Sequence, residues 1–472
     1  MGVRFVLNGR AVVAADVAAH VTLLQWLRAQ GLCGTKEGCA EGECGAYAVA
    51  LLTSEPGEAG SHFEPVNSCL LPLAAVEGKT VVTVEGVADS DGGLHPVQAA
   101  LAGAGGSQCG YCTPGFVVSL FCEYYRPGRT ELDPESISGN LCRCTGYRPI
   151  VEAARGLSPP VPSDPRLVQL RARAPALPES ASGTAAERFF RPTSLADALA
   201  LLEAYPGALA IAGGTDLMVS ANQRHQRFPV LISLEALAEL QEFSVTESEL
   251  VFGAALPLSR IERALARTDV HAAALSELWP LFSSRLIRNR ATLGGNLATA
   301  SPIGDAAPVL LALGAELELV SRQGQRRLPL SEFFLGYRQT ALSPGEWIQS
   351  VRILRPLPQF QRFYKVSKRV LDDISTVAAA FTLSLDASGN ITHFGAGYGG
   401  VAATPLAAAT LEPLALGRAW NQATLSLLLA EASRLGTPQS DLRGSAPYRR
   451  ALMGKLLERF FAETTRRVEA AE

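Results

Sequence analysis

Gly-Cys39-Ala-Glu-Gly-Glu-Cys44-Gly-Ala-Tyr47, with Cys69 following in Asn-Ser-Cys-Leu, is the stretch on which the reading of this chain turns. Working outward, Cys109-Gly-Tyr-Cys112 and Cys142-Arg-Cys144 follow, and none of the nine cysteines lies beyond Cys144. Such segregation means that the thiols work locally. Disulfides would need an oxidising compartment, and no secretory leader is legible: Met1 to Arg10 alternates apolar and polar like a strand. Structural zinc is the better competitor, because Cys-x-x-Cys is its commonest half-site. Cys142-x-Cys144 is too tight for that use. Cys39-x4-Cys44 with a distant Cys69 has instead the spacing of plant-type ferredoxins, so the pattern points to iron–sulfur clusters.

Local signals agree. Gly34, Gly38, Gly42 and Gly45 let the first loop wrap closely and turn N–H groups toward an anionic site. Around it Arg4–Leu7, Arg10–Val13, Tyr47–Leu52 and Val81–Val84 read as strands, and Thr22–Gln30 as a short helix with Thr22 as its candidate N-cap. The second cysteine group reads as helical. Pro96–Ala104 and Pro114–Tyr125 open with proline, and Arg148–Arg155 follows the last pair, so that two cysteine loops at helix ends grip one cluster.

At this point Cys-Gly-Tyr-Cys-Thr-Pro-Gly (109–115) and Gly-Asn-Leu-Cys-Arg-Cys-Thr-Gly-Tyr-Arg-Pro-Ile (139–150) resemble the molybdenum hydroxylases, among them xanthine dehydrogenases, aldehyde oxidases and carbon monoxide dehydrogenases. The resemblance implies two 2Fe–2S clusters. Cys109, Cys112, Cys142 and Cys144 would hold the one nearer molybdenum, and Cys39, Cys44 and Cys69 the one nearer a flavin. Tyr47 departs from the pattern, since the family places a third cysteine there. Three readings stand open: the cluster is lost or impaired, Tyr47 ligates as phenolate, or Cys33 swings in. Loss ranks first, because a phenol of pKa about 10 is a poor substitute for a compact thiolate. Cys122, on the apolar helix with Phe116, Val117, Leu120 and Phe121, reads as core.

Length alone, at about 150 residues per domain, suggests three domains. Composition is 47% hydrophobic, yet its apolar runs break well before the roughly 20 residues a membrane span needs. A net charge of −3 with interspersed signs indicates neither nucleic acid nor a membrane surface as partner. Reduced thiols imply the cytoplasm. Leu157 to Thr184, rich in proline and small polar residues, reads as a solvated linker.

Beyond it, Ser194–Tyr205 reads as helix and Ala208–Ala212 as a strand running into Gly213-Gly214-Thr215-Asp216-Leu217. Thr292-Leu-Gly-Gly-Asn-Leu-Ala-Thr-Ala-Ser-Pro-Ile-Gly-Asp305 is a second glycine-rich loop. Such loops bring N–H groups and hydroxyls to a pyrophosphate. Both resemble the flavin domain of the same family, a match that continues through Tyr364-Lys365-Val-Ser-Lys-Arg-Val-Leu-Asp372-Asp373-Ile. The resemblance implies that Ala210, Ile211, Ala212, Gly213, Gly214, Thr215, Asp216 and Leu217 line the FAD phosphates. Thr292, Leu293, Gly294, Gly295 and Asn296 complete that cradle, and Asp305 holds a polar part of the cofactor. Phe282 lies beside the isoalloxazine, and Ile348 and Lys365 are further FAD contacts. Read without the resemblance, Phe282 is core and Lys365 a surface strand residue. Phe360–Val366, Val377–Leu385 and Ile391–Tyr398 read as strands. Gly395–Gly400 reads as a tight turn, and Asn421–Leu435 and Tyr448–Thr465 as amphipathic helices.

The implied fold is multidomain α+β: a ferredoxin-like β-grasp domain (1–84), an all-α helical 2Fe–2S domain (85–156), the linker (157–184), an α+β FAD-binding domain (185–356) and a C-terminal α+β subdomain (357–472). The family's molybdopterin-bearing portion is not in this sequence. The resemblance therefore implies the electron-transfer subunit of a xanthine dehydrogenase, partnered by a large molybdopterin subunit in an α2β2 heterotetramer. Such a subunit passes electrons through 2Fe–2S clusters to FAD and on to NAD+. No residue here is a candidate for the hydroxylation chemistry, and the six histidines (20, 62, 95, 225, 271, 393) fall outside the motifs. Two other readings are a subunit serving an aldehyde or N-heterocycle hydroxylase and a non-catalytic scaffold.

Overall fold

The computed structural model describes residues 2–88 and 92–469. They form two compact units. The first runs to Ala238 and takes in Ser284–Ala291; the second comprises Glu239–Ser283 and the chain from Thr292 onward.

In the first unit, β1 (Val3–Leu7) and β2 (Arg10–Ala14) form a hairpin. After α1 (Leu23–Ala29) come β3 (Ala48–Thr53), β4 (His62–Asn67) and β5 (Thr80–Val82), which complete a mixed sheet of order β2-β1-β5-β3-β4. β5 lies parallel to β1, the crossed arrangement of a β-grasp fold. Thr22 starts α1 with a full capping box, its hydroxyl accepting from the Gln25 N–H at 3.2 Å while Gln25 accepts from the Thr22 N–H at 3.0 Å. Leu23, Leu24 and Leu27 of that helix are buried with Phe5, Val49 and Leu51 of the sheet. Each such side chain is worth about 1.5–3 kcal/mol of burial.

Next come α2 (Pro96–Gly103), α3 (Thr113–Tyr124) and α4 (Arg148–Arg155), all with proline in the first turn, where its missing N–H costs nothing. Gly115 through Tyr124 are all buried, so α3 is the central helix, and Phe121 meets Phe63 of β4 at 4.9 Å between ring centroids. Cys122 is buried beside them.

The stretch read as a solvated linker carries structure. Asp164 caps α5 (Pro165–Leu170), and β6 (Ser180–Gly183) pairs antiparallel with β7 (Arg188–Arg191). Asp-Pro is an N-cap and first-turn signal that the surrounding prolines obscure, and an edge strand of small residues (Ser-Ala-Ser-Gly) has no hydrophobic periodicity to read. After α6 (Leu195–Ala204), β8 (Leu209–Ile211) leads to α7 (Leu217–Gln223) and β9 (Val230–Ser233). The sheet order is β6-β7-β9-β8.

The second unit holds a five-stranded antiparallel sheet of Phe243–Val245, Glu249–Gly253, Trp347–Leu354, Glu316–Ser321 and Gly324–Pro329, in that spatial order. A four-stranded sheet follows, of Phe360–Val366, Val377–Leu385, Ile391–Gly399 and Leu406–Ala407, backed by helices Gln422–Ala432 and Ala446–Glu469. The expected tight turn at Gly395–Gly400 is mostly strand, which runs on through Gly399. Its glycines answer a close approach instead. A Cβ at Gly395 would stand 2.1 Å from the Ala312 carbonyl oxygen, and one at Gly397 2.1 Å from that of Pro308, so only glycine lets helix Ala306–Ala312 lie on this strand. Among the described residues no helix is long and apolar enough to cross a membrane.

Candidate cofactor sites

Cys112 stands at the N-terminus of α3, with Cys109 three residues before it, and Cys142 and Cys144 precede α4. The four thiols meet in two hydrogen-bonded pairs, Cys109 with Cys144 and Cys112 with Cys142. Their environments differ. Burial and the Cys142 contact push Cys112 up to about 12. Cys142 is shifted down: burial opposes this, but the Thr145 hydroxyl (3.0 Å) and N–H (3.4 Å) outweigh it. Gly110 and Gly146, both at positive φ, supply the sharp turns. Lys36 holds the first loop through the Gly110 carbonyl at 3.1 Å. A convergent all-thiol set with N–H donors aimed at its sulfurs fits a 2Fe–2S cluster.

The first cysteine group does not fit one. Cys39, Cys44 and Cys69 converge, but the Tyr47 hydroxyl stands among them, 3.1 Å from Cys39 Sγ and accepting from the Cys44 N–H at 3.0 Å. It also contacts the Cys69 thiol. The Tyr47 ring is fully buried. Burial above all, then the neighbouring Cys69 charge, raises its ionisation far above the ordinary phenol range, which disfavours a phenolate ligand. Cys44 donates to Cys39; that bond, more than those from Tyr47 and the Glu41 and Glu43 N–H groups, lowers Cys39 to about 4. Cys33 is exposed, its backbone N–H tied to the Gly31 carbonyl in the turn after α1.

The two glycine-rich loops fall in different units. Ala210–Leu217 belongs to the first, and the chain passes into the second between Ala291 and Thr292, at the start of the other loop. In the first loop a Cβ at Gly213 would lie 1.9 Å from the Arg290 carbonyl oxygen, and Gly214 has φ +80 with the Leu70 carbonyl close by. α7 begins at Leu217, and its last two residues reach back to the cysteine loop. Asn222 donates to the carbonyls of Ala40 and Cys69, both at 2.8 Å, and Gln223 to that of Cys39 at 2.7 Å. Arg290 also pairs with Glu235, which receives Lys79 at 2.7 Å.

In the second unit Thr292 caps helix Leu293–Ala298, accepting from the Gly295 N–H at 3.1 Å. Gly294 packs on Ala254, while Gly295 and Asn296 are more open. Phe282 and Ile348 are buried, Ile348 in the strand Trp347–Leu354. Lys365 is no surface residue. Its side chain is 3% exposed, its ammonium donates to Asp305 at 2.9 Å and to the Leu281 carbonyl at 2.7 Å, and Ser375 donates to the other Asp305 oxygen at 2.5 Å. Sequence reading missed Ser375, Asn222, Gln223 and the Lys79–Glu235–Arg290 triad, all polar residues with no motif of their own. Taken by itself, each loop offers close backbone turns and hydroxyls of the kind that receive a phosphate.

Lys365→Met is expected to destabilise the second unit by about 3–5 kcal/mol, because it leaves the Asp305 carboxylate buried without its cation. Urea denaturation followed by circular dichroism measures it. Adding Asp305→Asn should restore most of the loss, and no recovery in the double variant would deny the coupling.

Residues 184–356 match the family model for the FAD binding domain in molybdopterin dehydrogenase, 362–464 that for the CO dehydrogenase flavoprotein C-terminal domain, and 83–155 that for a 2Fe-2S binding domain. The xanthine dehydrogenase of Emericella nidulans is 32% identical over 99% of this chain and 39% of its own length. The xanthine dehydrogenase/oxidase of Gallus gallus is 33% identical over 97% and 39%. The chain thus spans well under half the length of these curated relatives. Among solved structures, reconstituted CO dehydrogenase from Oligotropha carboxidovorans aligns at 31% identity over 57% of this chain and 94% of that one, with a TM-score of 0.52. Quinoline 2-oxidoreductase from Pseudomonas putida 86 aligns at 26% over 58% and 94%, with a TM-score of 0.53.

Proposed function

Because this chain belongs to the molybdenum hydroxylase family, as its iron–sulfur and flavin portion, we propose that it is the electron-transfer subunit of a xanthine dehydrogenase. One observation carries the reading. The 2Fe-2S and flavin modules lie in a single chain, 97–99% of which aligns with 39% of the length of xanthine dehydrogenases. The partner is a large molybdopterin subunit, in an α2β2 assembly in the cytoplasm, where hypoxanthine and xanthine are oxidised to urate and NAD+ is the final acceptor.

When bound, the helical 2Fe–2S cluster supplies single-electron transfer and FAD the conversion of electron pairs into hydride for NAD+. The chain's own residues position and tune. Cys109, Cys112, Cys142 and Cys144 hold the cluster, and Thr145 adds donors to the Cys142 sulfur that favour its anionic form. Ala210–Leu217 and Thr292–Asn296 bind the flavin's phosphates. The buried Lys365–Asp305–Ser375 set, tied to the Leu281 carbonyl, would fix the strand and helix end on which the cofactor is proposed to rest. With Tyr47 in place of a cysteine at the first site, the chain would leave its flavin open to NADH and would pass electrons from its partner slowly.

Anaerobic NADH added to the flavin-loaded subunit should bleach the flavin absorbance, whereas xanthine should do so only with the partner subunit present. A flavin left oxidised by NADH would refute the acceptor assignment. A complex reduced by an aldehyde or N-heterocycle and not by xanthine would refute the purine assignment.

A further inference from the structure

We propose that Tyr47 is an intramolecular plug: its phenol stands in the position of the first 2Fe–2S cluster and leaves the β-grasp domain a cluster-free support for the flavin loop. Plant-type spacing asks for thiols at 39, 44, 47 and 69. The structure supplies three of them around a hydroxyl. The Tyr47 oxygen lies 3.1 Å from Cys39 Sγ, 3.0 Å from the Cys44 nitrogen and against Cys69, so it fills the centre toward which the three sulfurs converge. A missing ligand would leave room for an incomplete cluster. A fully buried ring in that room does not.

The loop is complete without iron. Ala40, Gly42 and Gly45 take positive φ, and the Asn67 amide donates to the Gly42 carbonyl at 3.0 Å. The Tyr47 hydroxyl accepts the Cys44 N–H, a donor of the kind that faces sulfur in a cluster site. The same loop is fastened to α7, because Asn222 and Gln223 hold the carbonyls of Ala40, Cys69 and Cys39. α7 opens at Leu217, where the Gly213–Gly214 loop ends, and a Cβ at Gly214 would press to 2.8 Å from the Leu70 carbonyl. Tyr47 therefore braces the floor under that loop. This deepens the electron-transfer reading and rests on it only for the flavin.

The experiment is iron per flavin, with low-temperature EPR after dithionite reduction, on the full chain purified with its partner and repeated after incubation with ferrous iron and sulfide. The wild type should keep about two irons per flavin and one 2Fe–2S signal. Tyr47→Cys should rise to about four irons and two signals. Tyr47→Phe, which keeps the ring and loses the hydroxyl, should stay at about two irons while its flavin dissociates several-fold faster. Four irons in the wild type, or a flavin-bearing Tyr47→Cys that gains none, overturns the plug. Unchanged flavin dissociation in Tyr47→Phe overturns the bracing role. If Tyr47→Cys does not fold, the wild-type count decides. NADH bleaching of the flavin needs no iron, so failure of the functional reading shows there, apart from the iron result.

Discussion

Cys142→Ser is expected to remove about two irons and the 2Fe–2S signal, and with them partner-driven reduction of the flavin, while NADH still bleaches it. A serine hydroxyl does not ionise near neutral pH as a tuned thiol does, so the chemistry of the ligand is lost although its size is nearly kept. The geometry around Cys142 is built for sulfur: the Thr145 hydroxyl and N–H both face it, and Cys112 completes the pair. Its own N–H is held by the Tyr147 hydroxyl at 3.1 Å, so the backbone should stay in place when the side chain changes. Iron analysis, EPR and stopped-flow flavin reduction from each end test the result together. Retention of the iron would show that these four thiols are not the cluster's ligands.

Glu235→Gln should lower the stability of the first unit by about 3 kcal/mol, the lower end of the 3–5 kcal/mol seen when one partner of a buried pair is removed. Glu235 stands between two cations, Lys79 at 2.7 Å and Arg290, with all three side chains at most 16% exposed. Burial already pushes Lys79 down to about 8, so without the carboxylate it sheds its proton more readily, which softens the loss. The same triad gives a pH dependence. Burial opposes the Glu235 charge, but Arg290 and then Lys79 outweigh it and hold the carboxyl well below its ordinary range. A depressed carboxylate contributes stability above the unfolded value of about 4.3, and the contribution fades as pH falls below it. Urea midpoints measured from pH 7 down to 3 should therefore fall less steeply in Glu235→Gln than in the wild type. Parallel acid limbs would place the charge coupling elsewhere. Because Arg290 presents its carbonyl to Gly213, the variant should also bind flavin less tightly.

The signals that the chain carries in its own order are local. Thiol spacing marked the cysteine loops, Thr22 with Gln25 marked the start of α1, and the prolines marked the helices that follow, because each signal lies within a few residues of the group it serves. Tyr47 was legible in the same way, as the wrong residue at one step of a short pattern. What Tyr47 touches depends on packing, since the convergence with Cys69 requires β3 and β4 to be paired. Packing also turned Lys365 from an ordinary strand residue into the buried partner of Asp305, sixty positions away in the chain. Asn222 and Gln223 reach carbonyls 153 to 184 positions away, and neither residue type announces such a partner. Gly395 and Gly397 resemble a turn until helix Ala306–Ala312 is laid against them. Burial, ion pairing and close backbone approach are properties of packed surfaces, and they exist only once distant segments have met.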